Sequence, residues 1–130
     1  MGTTGMIVLG HGSRRPEVGE AFTAMVARVA SQVPGTLVLP AFFSLGEPTL
    51  ADQVCALAGQ GCDRIVIMQY FLYNGVHIEQ DIPAMVADLA REHPGLRFVV
   101  QPTLEGDPAM ERLVAERLLA DASEGVIKPQ

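Results

Sequence analysis

Four short apolar runs alternate with four segments of helical periodicity along this chain, and that alternation limits the folds open to it. The runs cover residues 6–10, 36–43, 64–71 and 96–101. They lack the every-second-residue polarity of a strand with one face in water, so each is expected to be a strand buried on both faces. Strands interleaved with helices predict an α/β fold with a doubly wound, mostly parallel four-stranded sheet and helices on both faces.

The helical segments carry apolar residues three and four positions apart. Their apolar faces begin at Val18, Leu50, Ile82 and Met110. Prolines that are tolerated in a first turn stand near each predicted start, at Pro16, Pro48, Pro83 and Pro108. Asp81 and Asp107 are candidate N-caps. No linker divides the 130 residues, so we expect one domain over 1–130 with a frayed tail at 122–130.

Charge and composition exclude several classes of function. A net charge of −6 argues against binding nucleic acid, which requires a basic face. No apolar run approaches the roughly 20 residues that cross a bilayer, so no membrane partner is expected. No secretory leader is visible, and a cytoplasmic location is the expectation. Cys55 and Cys62 do not form a C-x-x-C motif, and both are expected to be buried free thiols.

Two histidines follow the two most apolar strands. His11 comes directly after the first strand, and His77 follows the third strand within a turn. The carboxyl ends of parallel strands share one edge of the sheet, where ligands bind in such folds. Two imidazoles at that edge indicate a metal or proton-transfer site.

The residues around His11 argue against two common kinds of nucleotide-binding site. Gly10 and Gly12 flank it and leave space around the ring, and Ser13, Arg14 and Arg15 follow. The segment matches neither the phosphate-binding P-loop nor the dinucleotide-binding glycine pattern, so no organic cofactor is expected.

Two carboxylates are candidates for the same site, and each has a structural alternative. Asp81 lies four residues after His77 and would orient its imidazole if the helix begins early, or else it only caps the helix. Glu47 stands after the second strand at a helix start, either as a third polar group of the site or as a carboxylate favoured by the helix dipole. The aromatic stretch at 70–73 is expected to be strand core, the alternative being an apolar wall for a flat ligand.

Three segments together resemble the small CbiX-type chelatases, which are sirohydrochlorin cobaltochelatases of the CbiX/SirB class. The segments are Leu9-Gly10-His11-Gly12-Ser13-Arg14, Glu47-Pro48-Thr49-Leu50 and Gly75-Val76-His77-Ile78-Glu79-Gln80-Asp81-Ile82-Pro83. The resemblance covers about residues 5–120 and implies a chelatase-like, flavodoxin-like domain. It also implies insertion of a divalent metal into sirohydrochlorin in cobalamin biosynthesis, with Co²⁺ expected first and Fe²⁺ or Ni²⁺ as alternatives.

By this resemblance His11 and His77 bind the metal and assist insertion, and Glu47 takes a less firmly assigned catalytic role. The residues expected to contact the tetrapyrrole are Gly10, Gly12, Ser13, Arg14, Gly75 and Val76. Short members of the family work as homodimers, which is the expectation for a chain with a single domain. A non-catalytic metal- or tetrapyrrole-binding module remains an alternative. A histidine phosphatase is disfavoured, because Gly10 stands where that family has an arginine.

Overall fold

The computed structural model describes residues 2–120 and contains four strands and four helices in strict alternation. In chain order the elements are β1 Thr4–Gly12, α1 Pro16–Ala30, β2 Leu37–Leu45, α2 Leu50–Gly59, β3 Arg64–Gln69, α3 Val76–Glu92, β4 Arg97–Gln101 and α4 Pro108–Leu119. The predicted α/β order is therefore confirmed. The predicted tail at 122–130 lies outside the described residues.

The sheet is parallel throughout, with the strand order β2-β1-β3-β4. The central strands β1 and β3 pair in continuous register from Thr4 opposite Arg64 to Leu9 opposite Gln69. Because the order changes direction between β1 and β3, the loops that follow these two strands leave a crevice at the carboxyl edge. His11 and His77 belong to the segments at this crevice.

Helices cover both faces of the sheet, as predicted. The backbone of Gly10 lies against the ring of Phe22 in α1, whereas Gly5 lies against Leu57 in α2. Residues five apart on a strand point to opposite faces, so α1 and α2 lie on opposite sides. The larger core lies on the α2 side, where α3 joins it through Ile78, Ile82 and Leu89.

The helix starts correct two expectations. Asp107 caps α4 by accepting a hydrogen bond from the Ala109 backbone N–H at 2.8 Å, as predicted. Asp81 does not cap α3, which begins five residues earlier at Val76 with Gly75 as its N-cap. For the same reason Pro83 lies inside α3 rather than in its first turn.

The two cysteines differ in environment. Cys62 is buried before β3, as predicted, but Cys55 is exposed on α2, so the expectation of a buried thiol there was wrong. Leu50, Val54 and Leu57 form the buried face of α2, and Cys55 lies outside that face on the side of the helix that is exposed to water. Both thiols are free.

Helix α4 stands apart from the core. None of its residues is buried, and its apolar side chains Leu113, Val114, Leu118 and Leu119 are all exposed in the described part of the chain. An amphipathic helix gains stability chiefly by burying its apolar face. The apolar face of α4 is thus available to something other than residues 2–120 of the same chain.

Within residues 2–120, no helix has the length and hydropathy required to span a membrane.

Candidate metal-insertion site

Both predicted histidines line one cleft of about 450 Å³ at the carboxyl edge of the sheet. We call it the histidine cleft, and its walls are His11, Tyr70, Phe71, Leu72, Tyr73, Gly75, Val76, His77 and Ile78. His11 is the second-to-last residue of β1, whereas the prediction placed it beyond the strand. His77 is the second residue of α3. The prediction that the sheet order brings these two imidazoles to one place is confirmed.

Two phenylalanine rings hold the imidazole of His11 by edge contacts. The His11 ring centroid is 5.1 Å from that of Phe71 and 5.9 Å from that of Phe43, both in T-shaped geometry. The Ser44 hydroxyl donates a hydrogen bond to the His11 carbonyl at 3.3 Å. The residue is exposed, and it lines the histidine cleft.

Backbone packing explains the glycines on either side of His11. A Cβ on Gly10 would lie 2.8 Å from the Phe22 ring. Gly12 has a φ of 92°, and a Cβ there would lie 1.8 Å from the Leu45 carbonyl oxygen across a register shift between β1 and β2. Only glycine fits this combination of positive φ and close approach. These two residues therefore shape the backbone that carries His11.

Asp81 lies beside His77, one helical turn further along α3. The His77 Nδ1 and Asp81 Oδ2 atoms are 3.1 Å apart, and the imidazole is 83% exposed. A hydrogen bond at Nδ1 fixes the ring orientation and leaves Nε2 facing away from the carboxylate. Because α3 begins early, the orienting alternative for Asp81 is the one that the structure supports.

The aromatic stretch after β3 forms a wall of the cleft. Phe71 is buried, but Tyr70, Leu72 and Tyr73 are exposed, so the expectation of strand core was wrong for these three. β3 ends at Gln69, two residues earlier than predicted, and the following side chains turn toward the cleft. Together with the exposed Val76 they form an apolar rim on which a flat, conjugated ligand can lie.

Positive charge near His11 is concentrated on Arg14. The Arg15 Nε atom lies 2.7 Å from the Glu17 carboxylate, whose pKa is lowered first by a backbone hydrogen bond and then by Arg15. Arg14 is exposed and forms no ion pair among residues 2–120. The Ser13 hydroxyl accepts a hydrogen bond from the Arg15 backbone N–H at 3.1 Å, which fixes the start of the loop.

Glu47 lies outside the histidine cleft. It lines a groove of about 610 Å³ between α1 and the end of β2, together with Ser13, Arg15, Glu20, Phe42 and Leu45. Gly75 and Val76 line the histidine cleft, whereas Ser13 lines this second groove. The structure therefore brings the two histidines together and leaves Glu47 in a neighbouring groove of the same chain.

A single chain offers few ligands to a metal. Among residues 2–120, no group of three or more histidine, cysteine or acidic side chains is arranged to hold an ion. An ion bound by two imidazoles alone would occupy an open site, because its remaining coordination positions would stay accessible to other donors. Such a site suits an ion that is passed on to another molecule.

The family model for CbiX matches residues 5–121, which is nearly the whole chain. The chain belongs to the CbiX family. A chloroplastic sirohydrochlorin ferrochelatase from Arabidopsis thaliana is 31% identical over 114 residues, covering 88% of this chain and 51% of the plant protein. A sirohydrochlorin cobaltochelatase from Methanosarcina acetivorans is 32% identical over 83 residues, covering 64% of each chain. This CbiX chain thus spans between about half and two thirds of the length of these relatives.

A solved CbiX protein of cobalamin biosynthesis from Marinobacter aquaeolei has the same architecture. It superposes with a TM-score of 0.75 at 28% identity, covering 88% of this chain and 94% of the other. Membership of the CbiX family and the parallel four-stranded fold are therefore established together.

The sequence analysis of this CbiX chain missed one group of residues near His77. Asn74 precedes the first turn of α3, and its backbone N–H and side-chain amide both donate to the Glu105 carboxylate, at 3.2 and 3.1 Å. The Thr103 hydroxyl donates to Asn74 Oδ1 at 2.8 Å. About 30 residues separate the partners, so no local pattern in the sequence signals these contacts.

Proposed function

We propose that this chain inserts a divalent metal ion, Co²⁺ first among the candidates, into a sirohydrochlorin-type tetrapyrrole. The observation that carries the proposal is the pair of imidazoles, His11 and His77, on one open cleft beside an exposed apolar rim. The metal and the macrocycle are both substrates. The chain uses no organic cofactor in this scheme.

The chemistry requires the ion to lose bound water and the macrocycle to lose two pyrrole N–H protons. Imidazole nitrogens bind Co²⁺, Fe²⁺ and Ni²⁺, and a site with two protein ligands leaves positions for the macrocycle nitrogens. Each pyrrole nitrogen forms a bond to the metal as its proton leaves, so the two protons released balance the charge of the ion. A neutral imidazole accepts such a proton readily near neutral pH.

Asp81 supports this role through His77. With Nδ1 bonded to the carboxylate, Nε2 of His77 is the atom left to bind the ion, and it takes up a pyrrole proton only after the ion has passed to the macrocycle. We keep Glu47 as a second candidate carboxylate for proton transfer. It lines a separate groove from the two histidines, so contact with the bound ion is not part of the proposed role.

The macrocycle would bind by its flat face and by its rim of carboxylates. Tyr73, Leu72 and Val76 offer exposed apolar surface to the face. Arg14 offers a guanidinium that is free to pair with substrate carboxylates. Gly75 and Val76 line the cleft and complete the contact surface beside His77.

The choice of Co²⁺ rests on relatives rather than on the ligand set. The Methanosarcina relative carries the name cobaltochelatase, whereas the plant relative carries the name ferrochelatase. Imidazole accepts both metals and Ni²⁺ as well. An insertion assay in which the three metal ions compete for the macrocycle identifies the preferred one.

We also propose that two copies of the chain form the working unit. The apolar face of α4 is exposed, and the plant relative is about twice as long as the region that it shares with this chain. A second copy would both cover α4 and supply a second half to the cleft. Mass measurement of the purified protein at micromolar concentration tests this directly, and a monomer at that concentration contradicts it.

The free thiols Cys55 and Cys62 support a location in a reducing compartment such as the cytoplasm. Imaging of a tagged chain in its own cells tests this proposal. Recovery from an oxidising compartment with the thiols paired contradicts it.

The deciding experiment is anaerobic insertion of Co²⁺, Fe²⁺ and Ni²⁺ into sirohydrochlorin, followed by absorbance. Wild type is compared with His11→Ala, His77→Ala and the control His93→Ala, which changes the third histidine of the chain at the end of α3. Insertion that is lost in the first two variants and kept in the control supports the proposal. A wild-type rate equal to the uncatalysed rate, with metal still bound, overturns it in favour of a non-catalytic binding module.

A further inference from the structure

The segment between β4 and α4 forms hydrogen bonds with two residues close to the histidines, Phe71 beside His11 and Asn74 before His77. The Leu104 backbone N–H donates to the Phe71 carbonyl at 2.9 Å, and the Phe71 ring is the nearer of the two rings that contact His11. On the other side, Glu105 and Thr103 bond to Asn74, which lies immediately before the N-cap of α3. One short segment is thus bonded to the backbone of Phe71, whose ring contacts His11, and to Asn74, three residues before His77.

Thr103 joins Asn74 and Glu105, because its hydroxyl forms hydrogen bonds with both residues. It is one of two buried polar side chains among the described residues, with 8% of its surface exposed. Its hydroxyl donates to Asn74 Oδ1 and accepts from the Glu105 backbone N–H at 3.3 Å. A buried hydroxyl with both functions used fixes the groups that it bonds, because either group would lose a partner by moving.

Asn74 is held by three hydrogen bonds at once. Its backbone N–H and both ends of its side-chain amide are bonded to Thr103 or Glu105. The next residue, Gly75, caps α3 without any side-chain hydrogen bond of its own. The position of the first helical turn, and therefore of His77, depends on Asn74 more than on a local cap.

We propose that Thr103, with Glu105 and Asn74, is a positioning residue that sets the separation of His11 and His77. The three residues touch neither metal nor macrocycle in this assignment. They hold the Phe71 backbone and the residue before the N-cap of α3 in place on either side of the histidine cleft. The inference rests on the proposed function for its activity readout, but its structural and metal-binding readouts are independent of turnover.

The test uses the full chain with Thr103→Val, which keeps the shape and removes the hydroxyl, and Thr103→Ser, which restores it. Glu105→Gln is a milder second variant that removes one acceptor. Gln53→Met is the matched control, because it breaks another half-buried hydrogen bond, from Gln53 Nε2 to the Pro40 carbonyl at 2.7 Å, away from the histidines. Titration with Co²⁺ alone gives the dissociation constant, and amide hydrogen exchange reports on residues 75–79.

Loss of a group bonded directly to a metal ligand commonly weakens metal binding by about tenfold. Thr103 acts through Asn74, so we expect a smaller rise, about threefold, in the Co²⁺ dissociation constant for Thr103→Val. Exchange at 75–79 should quicken, and kcat for insertion should fall while KM for the tetrapyrrole stays the same. Thr103→Ser and Gln53→Met should match wild type in all three readouts. Glu105→Gln should lie between.

Unchanged Co²⁺ affinity and unchanged exchange at 75–79 in Thr103→Val overturn the positioning role, whatever the activity. An equal effect in Gln53→Met also overturns it, because the loss would then reflect general destabilisation. If wild type inserts no metal, the proposed function fails on its own. Exchange and Co²⁺ affinity then still decide whether this segment positions the histidines.

Discussion

The Nδ1 atom of His77 lies 3.1 Å from the Oδ2 atom of Asp81, one turn along the same helix. The contact joins a predicted metal ligand to a carboxylate that α3 itself supplies, so the orientation of the ring is fixed within a single element. Both side chains are substantially exposed. The pair therefore contributes little to folding stability and is available for chemistry.

Replacing Asp81 with Asn should lower the insertion rate without unfolding the protein. The amide keeps the shape but removes the charge that supports a protonated His77, and losses of this kind are about tenfold. Asp88→Asn is the control, because Asp88 pairs with Arg91 on the same helix and, like Asp81, has more than half of its side chain exposed. Equal rates for the two variants, at equal melting temperature, would argue against a role for Asp81.

Replacing Gly12 with Ala should destabilise the protein and remove His11 from its position. The new Cβ meets the Leu45 carbonyl at a positive φ, and the combined strain is about 3 kcal/mol. Gly35→Ala is the control, since Gly35 also has a positive φ but no atom within 4 Å of a new Cβ, and about 1 kcal/mol is expected there. Urea denaturation compares the two, and similar losses would mean that the close approach of Leu45 is unimportant.

Replacing Tyr73 with Ala should raise the KM for the tetrapyrrole while leaving the affinity for Co²⁺ unchanged. The ring is exposed on the rim, and a stacked aromatic contact is worth about 1 kcal/mol, or roughly fivefold in KM. Tyr73→Phe keeps the ring and should behave as wild type. A loss in Tyr73→Phe equal to that in Tyr73→Ala would assign the effect to the hydroxyl instead of the ring face.

Replacing Arg14 with Ala should raise the KM for a carboxylate-bearing substrate more than replacing Arg15 does. Arg15 already pairs with Glu17, whereas Arg14 has no such partner in the described residues. The effect on Arg14→Ala should shrink as salt increases, because exposed charge pairs are screened. Steady-state kinetics at two ionic strengths measure this, and a larger KM change for Arg15→Ala would reverse the assignment.

Charged substitutions on α4 should prevent dimer formation and leave the monomer folded. Leu118 is 80% exposed and Leu119 is 86% exposed, so neither contributes to the described core. If a second copy buries them, the loss of both contacts in Leu118→Asp with Leu119→Asp costs about 3 kcal/mol, more than a hundredfold in the dimer dissociation constant. Sedimentation compares this variant with Glu116→Gln on the same helix, and identical dimer constants would exclude α4 from the interface.

The alternation of strands and helices was predictable because each strand carries a short run of mostly apolar residues. The expectation that all four strands are buried on both faces was wrong: β1 is largely buried, but β3 alternates between buried and half-buried residues, and β4, at the edge of the sheet, has no buried residue. The ends of elements were less predictable where packing replaces a local signal. Helix α3 begins at Val76, although no side chain caps it. Without a capping residue before Val76, no local signal in the sequence marks the start of the helix. The position of Asp81 as a helical neighbour of His77 follows from this early start.

The sequence predicted only those site residues whose positions depend directly on the end of a strand. His11 lies at the end of β1 and His77 follows β3, and because these two central strands are parallel, both histidines come to one edge of the sheet. Glu47 follows an outer strand and occupies a separate groove. Thr103 and Glu105 lie in a loop without periodicity, and their contacts with Asn74 depend on tertiary structure that no short pattern encodes.

The proposed two-imidazole site has a consequence for the identity of the metal in the cell. Nitrogen donors without geometric constraint follow the Irving–Williams series, in which Cu²⁺ binds more tightly than Ni²⁺, Co²⁺ or Fe²⁺. Because residues 2–120 contain no group of three or more potential ligands arranged to hold an ion, affinity at the proposed site would favour copper over Co²⁺. The metal that reaches the macrocycle is then selected by the free-ion concentrations that the cell maintains and by the speed of each ion's water exchange.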